Sequence, residues 1–399
     1  MVQMNSYAPI IDRLHQLAEP RDKVHVVYPL QEVLFIVYAS ILSGYTEWQS
    51  MASFAHYNKA WFRQFFPYKY GFPSHHTIEK VCMMVDSVAF MQLFIDWMCD
   101  TVTAINARKV GPPPEKNDNV VAIDGKALRG SRPAKGKKMV HIVSAYCSEL
   151  NLILGITSVD KKSNEITAIP EILDMLVLEG ALITMDAMGC QVAICKKIVE
   201  KKADYLICVK NNQPTLHNRI DTVFEQYIEE NPTDPDPDDE ENPFFAETIE
   251  KSRNRQEHRR SWVFNNIKSL VDPGNEWPGL EHCAIIQRDR LIDSRQSTEL
   301  NFYITSREMT AKSVLAAARN HWSTENKQHW ELDVSFSEDA SKIHERTATK
   351  NIATLRRCCY NAHKQSTHFE KESMRRRAEL AGLDEDYRTE LILEQFSPG

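Results

Sequence analysis

Hydrophobic residues in the first quarter of the chain recur every three to four positions, which is the spacing of helices that bury one face. Four such segments cover residues 29–42, 48–66, 77–85 and 89–105, and strand-like alternation is scarce among them. Ser74 follows a Gly-Phe-Pro turn and is a good N-cap for the third segment. The pattern predicts an all-α N-terminal domain over residues 1–110, which ends at the prolines of residues 112–114.

Short runs rich in β-branched residues follow these prolines. They cover residues 120–123, 139–147, 152–159, 182–185 and 205–209, and helical patterns at 165–178 and 191–202 separate the last three. Three strands followed by helix, strand, helix and strand is the element order of a ribonuclease-H-like mixed sheet. We therefore expect an α/β protein whose core begins with residues 115–222.

The second half of the chain continues with strand patterns at 260–265, 282–288 and 300–305, and with helical patterns at 310–330 and 349–364. This order predicts a β-rich insertion at 223–309, the last part of the core at 310–365 and a basic, helical tail at 366–399. An acidic stretch with an Asp-Pro-Asp-Pro sequence begins at Asp221. Its composition predicts a mobile loop.

Charge is unevenly distributed along the chain. The net charge is −7, yet residues 221–250 alone contain twelve acids and no Lys or Arg, so the rest of the chain carries +5. Basic stretches at 108–138 and 356–377 are compatible with a nucleic-acid partner. Nine cysteines without a Cys-x-x-Cys pair indicate reduced, cytosolic thiols. The nearly unbroken apolar run at 33–42 is about half of a membrane span, so we expect no membrane partner.

Three acids stand where a metal ion could reach them. Asp124 and Asp186 each follow an apolar strand, and Glu325 lies in the long helical pattern. Phosphodiester cleavage can use two Mg²⁺ ions that carboxylates hold a few ångströms apart. Each acid also has a structural interpretation: Asp124 as a turn residue, Asp186 as the N-cap of the next helix and Glu325 as a solvated helix acid. Glu338 and Asp339 are rivals for the third position.

Several segments together resemble one known family, the H-repeat-associated, ISAs-type DDE transposases. They are Ala-Ile-Asp-Gly-Lys-Ala-Leu-Arg-Gly-Ser at 122–131, Lys-Ser-Asn-Glu-Ile-Thr-Ala-Ile-Pro-Glu at 162–171, Thr-Met-Asp-Ala-Met-Gly-Cys-Gln at 184–191 and His-Trp-Ser-Thr-Glu-Asn at 321–326. Gly-Phe-Pro-Ser-His-His-Thr at 71–77 is similar to the domain that accompanies this family. The resemblance thus covers most of the chain.

The resemblance implies a two-metal-ion enzyme that cleaves double-stranded DNA at the ends of an insertion sequence and transfers them to target DNA. It implies Mg²⁺ as the cofactor, with Mn²⁺ as a substitute, and a homodimer or larger synaptic complex in the bacterial cytoplasm, beside the nucleoid. Asp124, Asp186 and Glu325 fall on the family's three metal-binding acids.

The chain departs from the family's wider group in its basic residues. The positions of the Tyr-Arg-Glu-Lys signature hold Ala318, His321, Glu325 and Leu332, so other residues must grip the DNA end. Such departures leave open a domesticated DNA-binding regulator, or a stand-alone DNA nuclease on the same core.

The candidate DNA-binding residues are Arg319, His321 and Lys327 near the third acid, Lys126, Arg129 and Arg132 after the first, and His75 and His76 at a helix start. A solvated basic loop and a simple packing helix are the alternatives for the second and third groups. Asn326, His329 and Asp333 are candidates for orienting Glu325, because helical spacing would bring His329 and Asp333 to its face. Ordinary helix-face polarity explains them equally well.

Overall fold

The computed structural model describes residues 10–22, 24, 26–108, 119–131, 139–159, 165–237, 239, 242–252, 254–293 and 295–393. For residues 106–108, 323, 325 and 326 this description covers the backbone alone.

The first part of the chain is helical, as predicted. Its helices are α1 (Ile10–Arg13), α2 (Leu30–Leu42), α3 (Trp48–Tyr57), α4 (Lys59–Phe62), α5 (His75–Met84) and α6 (Ser87–Arg108). All residues of α2 except Gln31 are buried, because apolar side chains surround this helix and make it central to the bundle. Ser74 caps α5 by accepting a hydrogen bond from the backbone N of Thr77 at 3.4 Å, which confirms the predicted N-cap.

The next segment forms a mixed sheet. Its strands are β1 (Val120–Ala127), β2 (His141–Cys147), β3 (Leu152–Val159), β4 (Leu182–Met185) and β5 (Asp204–Val209), with α7 (Glu165–Met175) and α8 (Val192–Glu200) between the last three. The spatial order is β3-β2-β1-β4-β5, in which β4 runs parallel to β1 and β5 while β2 runs antiparallel to its neighbours. The predicted mixed α/β architecture is confirmed.

The insertion extends this same sheet. Strands β6 (Phe245–Ser252), β7 (Arg255–Phe264), β8 (His282–Ile292) and β9 (Arg295–Thr305) form an antiparallel meander, with α10 (Lys268–Val271) after β7. Because β9 pairs with β5, the result is one nine-stranded sheet. The sequence pattern missed β6, whose charged and partly exposed residues are typical of an edge strand.

The acidic stretch begins as a helix and not as a loop. Helix α9 (Pro214–Glu230) carries its first four acids, Asp221, Glu225, Glu229 and Glu230. Pro214 opens the helix, and Leu216, Ile220 and Phe224 are buried at a spacing of four residues. The expectation of a mobile loop is therefore wrong for residues 221–230, and the predicted boundary at 222 falls inside α9.

The helices that follow the meander pack against the sheet and against the N-terminal helices. They are α11 (Ala311–Ser323), a π-helical segment (Thr324–His329), α12 (Trp330–Phe336), α13 (Arg346–Gln365), α14 (Met374–Leu383) and α15 (Glu385–Leu393). Helix α11 contacts β1, β4 and the insertion strands β6, β7 and β8. Helix α13 packs against α2, α5 and α6, so the C-terminal helices share a core with the N-terminal bundle.

Two features of the core are its cysteines and one long apolar helix. All nine cysteines are free thiols and eight are buried, which agrees with the absence of predicted disulfides. Residues Ser87–Ile105 of α6 are long and apolar enough to cross a membrane by length and composition, but half of this stretch is buried inside the protein. Core helices pass the same test, so the stretch is weak evidence for a membrane span.

Candidate active site

Asp124 and Asp186 occupy equivalent positions on neighbouring strands. Ile123 of β1 lies opposite Met185 of β4 in the parallel pairing, so the next residue of each strand is an acid at the same level. Paired strands are about 4.8 Å apart. The sheet therefore brings the two predicted acids together where β4 ends.

Asp186 also caps a turn. Its Oδ1 accepts hydrogen bonds from the backbone N of Met188 at 3.0 Å and of Gly189 at 3.4 Å, at the start of the 3-10 turn Ala187–Gly189. Asp186 is therefore the N-cap of this turn, whereas Gln191 occupies the N-cap position of α8. Both bonds use Oδ1, so capping orients the carboxylate and is compatible with a metal contact through Oδ2.

Glu325 lies in the π-helical segment where the sequence predicted a continuous helix. Such segments are rare and frequently occur at functional sites. The segment contacts β1, and its residues Thr324 and Gln328 are fully buried. Tertiary packing thus brings the segment that contains Glu325 to the strand that carries Asp124. The side chains of Glu325 and Asn326 lie outside the described atoms.

His329, at the end of the π-helical segment, faces Asp124. Its Nδ1 is 3.6 Å from Oδ2 of Asp124. Burial, reinforced by the charges of Lys126 and Arg357, lowers the pKa of His329 to about 3. The imidazole is therefore neutral near pH 7, and the contact is not an ion pair. The structure places His329 against the first acid, whereas the sequence offered it as a candidate for orienting the third, with ordinary helix-face polarity as the alternative.

Lys126 lies inside the protein in a network of charges. Its Nζ is 3.1 Å from Oε2 of Glu338 and makes a closer contact with Oδ1 of Asp333. Glu338 also pairs with Arg357 through an Nη1–Oε1 distance of 2.6 Å, and both of these side chains are 0% exposed. Burial alone would raise the pKa of Glu338, but Arg357 and Lys126 hold it at about 2.

This network changes the expectations for three residues. Lys126 is held by Asp333 of α12 and by Glu338, and its side chain is 9% exposed, so its placement argues against the predicted phosphate contact. Glu338 already has two cationic partners, which argues against it as the third metal ligand. Asp333 is held by Lys126, which gives it a role other than orienting Glu325.

The remaining DNA-binding candidates differ in accessibility. Arg129 is 81% exposed and lies 3.5 Å from Asp339, which also accepts a hydrogen bond from the backbone N of Arg129. Arg132 lies outside the described residues. Arg319 and Lys327 are exposed. His321 is buried against Thr184, with 3.1 Å between Nδ1 and Oγ1.

Burial lowers the pKa of His321 to about 4, so it is neutral near pH 7, which argues against a cationic grip on phosphate. His75 and His76 begin α5 at the rim of a groove of about 640 Å³. The groove lies between the N-terminal helices and residues 337–343, with Lys342 on its other side.

A cleft of about 440 Å³ opens beside Asp186. Lys210, Arg288, Arg290, His321 and Trp322 are among its lining residues. The guanidinium carbon of Arg288 lies 3.8 Å from the ring centre of Trp322, close enough for a cation–π contact. Arg288 and Arg290 were not among the sequence candidates. Arg288 ends the predicted strand at 282–288 and Arg290 lies two residues beyond it, a spacing that signals a shared face because the strand extends to Ile292.

Glu165 is a third residue that was not among the sequence candidates. It is buried at the start of α7, and its Oε1 is 3.2 Å from Nδ1 of His141. Its carboxyl carbon would lie 2.6 Å from a Cβ atom added at Gly125. The glycine after Asp124 therefore leaves room for this carboxylate, which a Cβ atom there would displace.

The donor chemistry of the site suits a hard cation. Among the side chains that the structure describes, no group of three His, Cys, Asp or Glu residues is placed to hold a metal ion. That set does not include the Glu325 side chain. Asp124 and Asp186 supply carboxylate oxygens, the ligands that Mg²⁺ prefers, so the residues present fit such an ion.

Comparisons with known proteins agree with this architecture. Residues 115–362 match the family described as "Transposase DDE domain", and residues 11–98 match the region described as "DDE_Tnp_1-associated". "Putative transposase YncI" of Escherichia coli O157:H7 is 33% identical over 382 residues, which cover 94% of this chain and 92% of that protein. "H repeat-associated putative transposase YhhI" of Escherichia coli strain K12 is 32% identical over 383 residues, which cover 95% and 96%.

A solved structure, the cryo-EM structure of a piggyBac transposase synaptic complex with hairpin DNA, matches with a TM-score of 0.43 and 9% identity over 98% of this chain and 79% of that one. A similarity this low supports no argument by itself. The two family matches together span most of the chain, and the curated relatives match nearly end to end. The chain belongs to the H-repeat-associated family of DDE transposases.

Proposed function

We propose that this protein is an active DDE transposase, which cleaves DNA at the ends of an insertion sequence and joins them to target DNA. The observation that carries this proposal is the placement of Asp124 and Asp186 at one level of neighbouring parallel strands. The packing of the segment that contains Glu325 against β1 supports it.

A ribonuclease-H-like core is part of this proposal. The strand order β3-β2-β1-β4-β5, with β2 antiparallel to β1 and helices after β3 and β4, supports it. We further propose that residues 1–110 are the DNA-binding domain, that residues 115–222 and 310–365 form the core, and that residues 223–309, which begin within α9, are an insertion. The continuous sheet explains how such an insertion can stay rigid beside the core.

Asp124, Asp186 and Glu325 would hold Mg²⁺, or Mn²⁺ in its place. The ions, when bound, would activate the attacking oxygen and stabilise charge on the leaving one. The chain's own residues prepare this site. The turn at 187–189 orients Asp186, neutral His329 faces Asp124 without competing as a cation, and the cleft beside Asp186 gives the DNA strand access.

Double-stranded DNA is the partner we propose, as element ends and as target. A homodimer or larger synaptic complex would pair the two ends. The site of action would be the bacterial cytoplasm, at the nucleoid.

Asp124→Asn and Asp186→Asn test the proposal. Each should abolish cleavage of a duplex that carries the terminal sequences flanking the gene, in the presence of Mg²⁺ or Mn²⁺, while binding of that duplex without divalent metal stays near the wild-type level. Asp293→Asn is the matched control, because Asp293 lies at an exposed hairpin tip with φ of 50°, which Asn tolerates well.

Cleavage by Asp186→Asn at the wild-type rate would refute the assignment of that acid. Wild-type protein that binds DNA but neither cleaves nor joins it would support the regulatory alternative. Cleavage without joining would support the nuclease.

A further inference from the structure

Cations on two insertion strands share one face of the sheet. Arg255, Glu257 and Arg259 alternate along β7, and Arg288 and Arg290 alternate along the neighbouring β8. In the antiparallel register Arg259 lies opposite Arg288, and Glu257 lies opposite Arg290. All five side chains therefore point to the same side of the sheet.

Glu257 is the centre of this cluster. Its side chain is 4% exposed, and its oxygens lie 2.9 Å from Nη2 of Arg259, 3.2 Å from Nε of Arg290 and 3.7 Å from Nε of Arg288, with a closer contact to Arg255. One carboxylate cannot neutralise four guanidinium groups. It can hold them in fixed positions.

Helix α11 and the π-helical segment add two further cations, Arg319 and Lys327, so that six cations line a cleft of about 470 Å³. No carboxylate is among the described residues that line it. Among the described side chains, the acids paired with these cations are Glu250, Glu257 and Glu299, so six cations face three acids.

A purely structural role would explain the cluster less well. Cross-strand pairs stabilise sheets when opposite charges face each other, as Glu257 and Arg290 do, whereas like charges directly opposite are destabilising. Arg259 opposite Arg288 is such a like-charged pair. A surplus of fixed guanidinium groups at this position is instead the arrangement that binds phosphate oxygens.

The cleft also adjoins the candidate active site. Arg288, Arg290 and Trp322 line both this cleft and the one beside Asp186. A volume of about 470 Å³ is that of a small-molecule site and admits one strand's phosphates, not a whole duplex.

We propose that this arginine cleft binds the phosphate backbone of a single DNA strand that leads to Asp186, and that Glu257 is the positioning residue for its guanidinium groups. The proposal rests on DNA being the substrate, as proposed above. Arg290 and Arg319 are the contact residues, since both are accessible; the Arg319 side chain is 59% exposed.

Two fluorescent DNAs provide the probe: a blunt 30-base-pair duplex, and the same duplex with a ten-nucleotide single-stranded extension. Affinity of the full chain is measured without divalent metal over a range of salt concentrations. Wild-type protein should prefer the extended DNA. Arg290→Gln and Arg319→Gln should each weaken binding of the extended DNA by about tenfold, the scale of one charged hydrogen bond. Each should also reduce the slope of log K against log salt by about 0.7.

Arg295→Gln is the matched control, because Arg295 is exposed on the same insertion but lies outside the cleft. Its preference for the extended DNA should equal that of the wild type. Thermal unfolding of each variant verifies that it is folded.

The direction in which Glu257→Gln changes the affinity for the extended DNA tests whether Glu257 positions the guanidinium groups. The substitution removes one negative charge from the cleft, so simple attraction predicts tighter binding of the extended DNA. Loss of positioning predicts weaker binding of the extended DNA with unchanged binding of the blunt duplex. Tighter binding would overturn the role of Glu257.

A wild-type protein without preference for the extended DNA would overturn the cleft assignment, as would folded Arg290→Gln and Arg319→Gln variants that keep the full preference. Either result, with cleavage that still requires Asp124 and Asp186, would leave the proposed function standing. Absence of DNA binding by wild-type protein at low salt would instead refute the proposed function itself.

Discussion

Replacing Glu338 by Gln should destabilise the protein by about 3–5 kcal/mol, the usual cost of leaving a buried charge without its partner. Glu338 and Arg357 are both 0% exposed, and 2.6 Å separates Oε1 from Nη1. The amide oxygen can still accept a hydrogen bond but cannot neutralise Arg357, whose hydrogen bond to the carbonyl O of Ala353 at 2.9 Å would remain. Lys126 would keep Asp333, so the loss comes mainly from the arginine.

A double-mutant cycle isolates that loss. Arg357→Met alone should also be destabilising, because it leaves Glu338 with Lys126 as its main cationic partner in the interior. The double variant Glu338→Gln with Arg357→Met should cost less than the sum of the two single changes, by about 1–3 kcal/mol of coupling energy. Burying a neutral pair avoids the isolated charge that each single variant creates.

Urea denaturation followed by tryptophan fluorescence measures these free energies. Glu200→Gln is the control, since Glu200 pairs with Lys196 at 3.9 Å on an exposed helix face and should contribute less than about 1 kcal/mol. A cost below about 1 kcal/mol for Glu338→Gln, or a double variant less stable than the sum of the single effects predicts, would refute the buried-pair reasoning.

Three further predictions concern acid stability, packing and the third acid. The pKa of Glu338 is about 2 in the folded protein against an ordinary 4.5, so its contribution to stability is present above pH 4.5 and is lost as the pH falls towards 2. The stability difference between wild type and Glu338→Gln, from urea titrations at each pH, should shrink over that window, and a constant difference would contradict the assignment. Gly125→Ala should lower the free energy of unfolding by about 1–3 kcal/mol, because the new Cβ would overlap the carboxylate of Glu165, and unchanged stability would show that Glu165 moves freely. Glu325→Gln should abolish DNA cleavage while Asp339→Asn, whose acid already contacts Arg129, retains it; the opposite ranking in a cleavage assay would transfer the third ligand to Asp339.

Helices and strands that depend on residues close together in the chain were predicted, whereas those that depend on pairing with distant residues were harder to predict. Residues 182–185 were predicted as a strand and form β4 with the same bounds, because four consecutive apolar residues between turn signals are a local pattern. Strand β6 was missed because its pattern is that of a charged, partly exposed edge, which becomes a strand through pairing with β7. Helix α9 was missed because its four acids made the segment look solvated, although three of its apolar residues recur at helical spacing.

The same distinction holds at the site. Asp124 and Asp186 could be picked out from the sequence, since an acid directly after an apolar strand is a local signal and the family resemblance names both. Lys126 shows where local reasoning ends. Its position two residues after Asp124 suggested a phosphate contact, but its environment depends on Asp333 and Glu338, more than two hundred residues later in the chain.

The sequence by itself determined the helical N-terminal region, the order of strands and helices in the mixed sheet, the family and the three candidate acids, because periodicity and motifs are carried by neighbouring residues. Only the tertiary structure decided which charges are buried and which face solvent. It turned Lys126 and His321 inward, set His329 against Asp124, and gathered arginines from two strands and a helix around Glu257 and Trp322. Burial and charge pairing are sums over residues distant in the chain, so they exist only once the sheet and α11 have packed together.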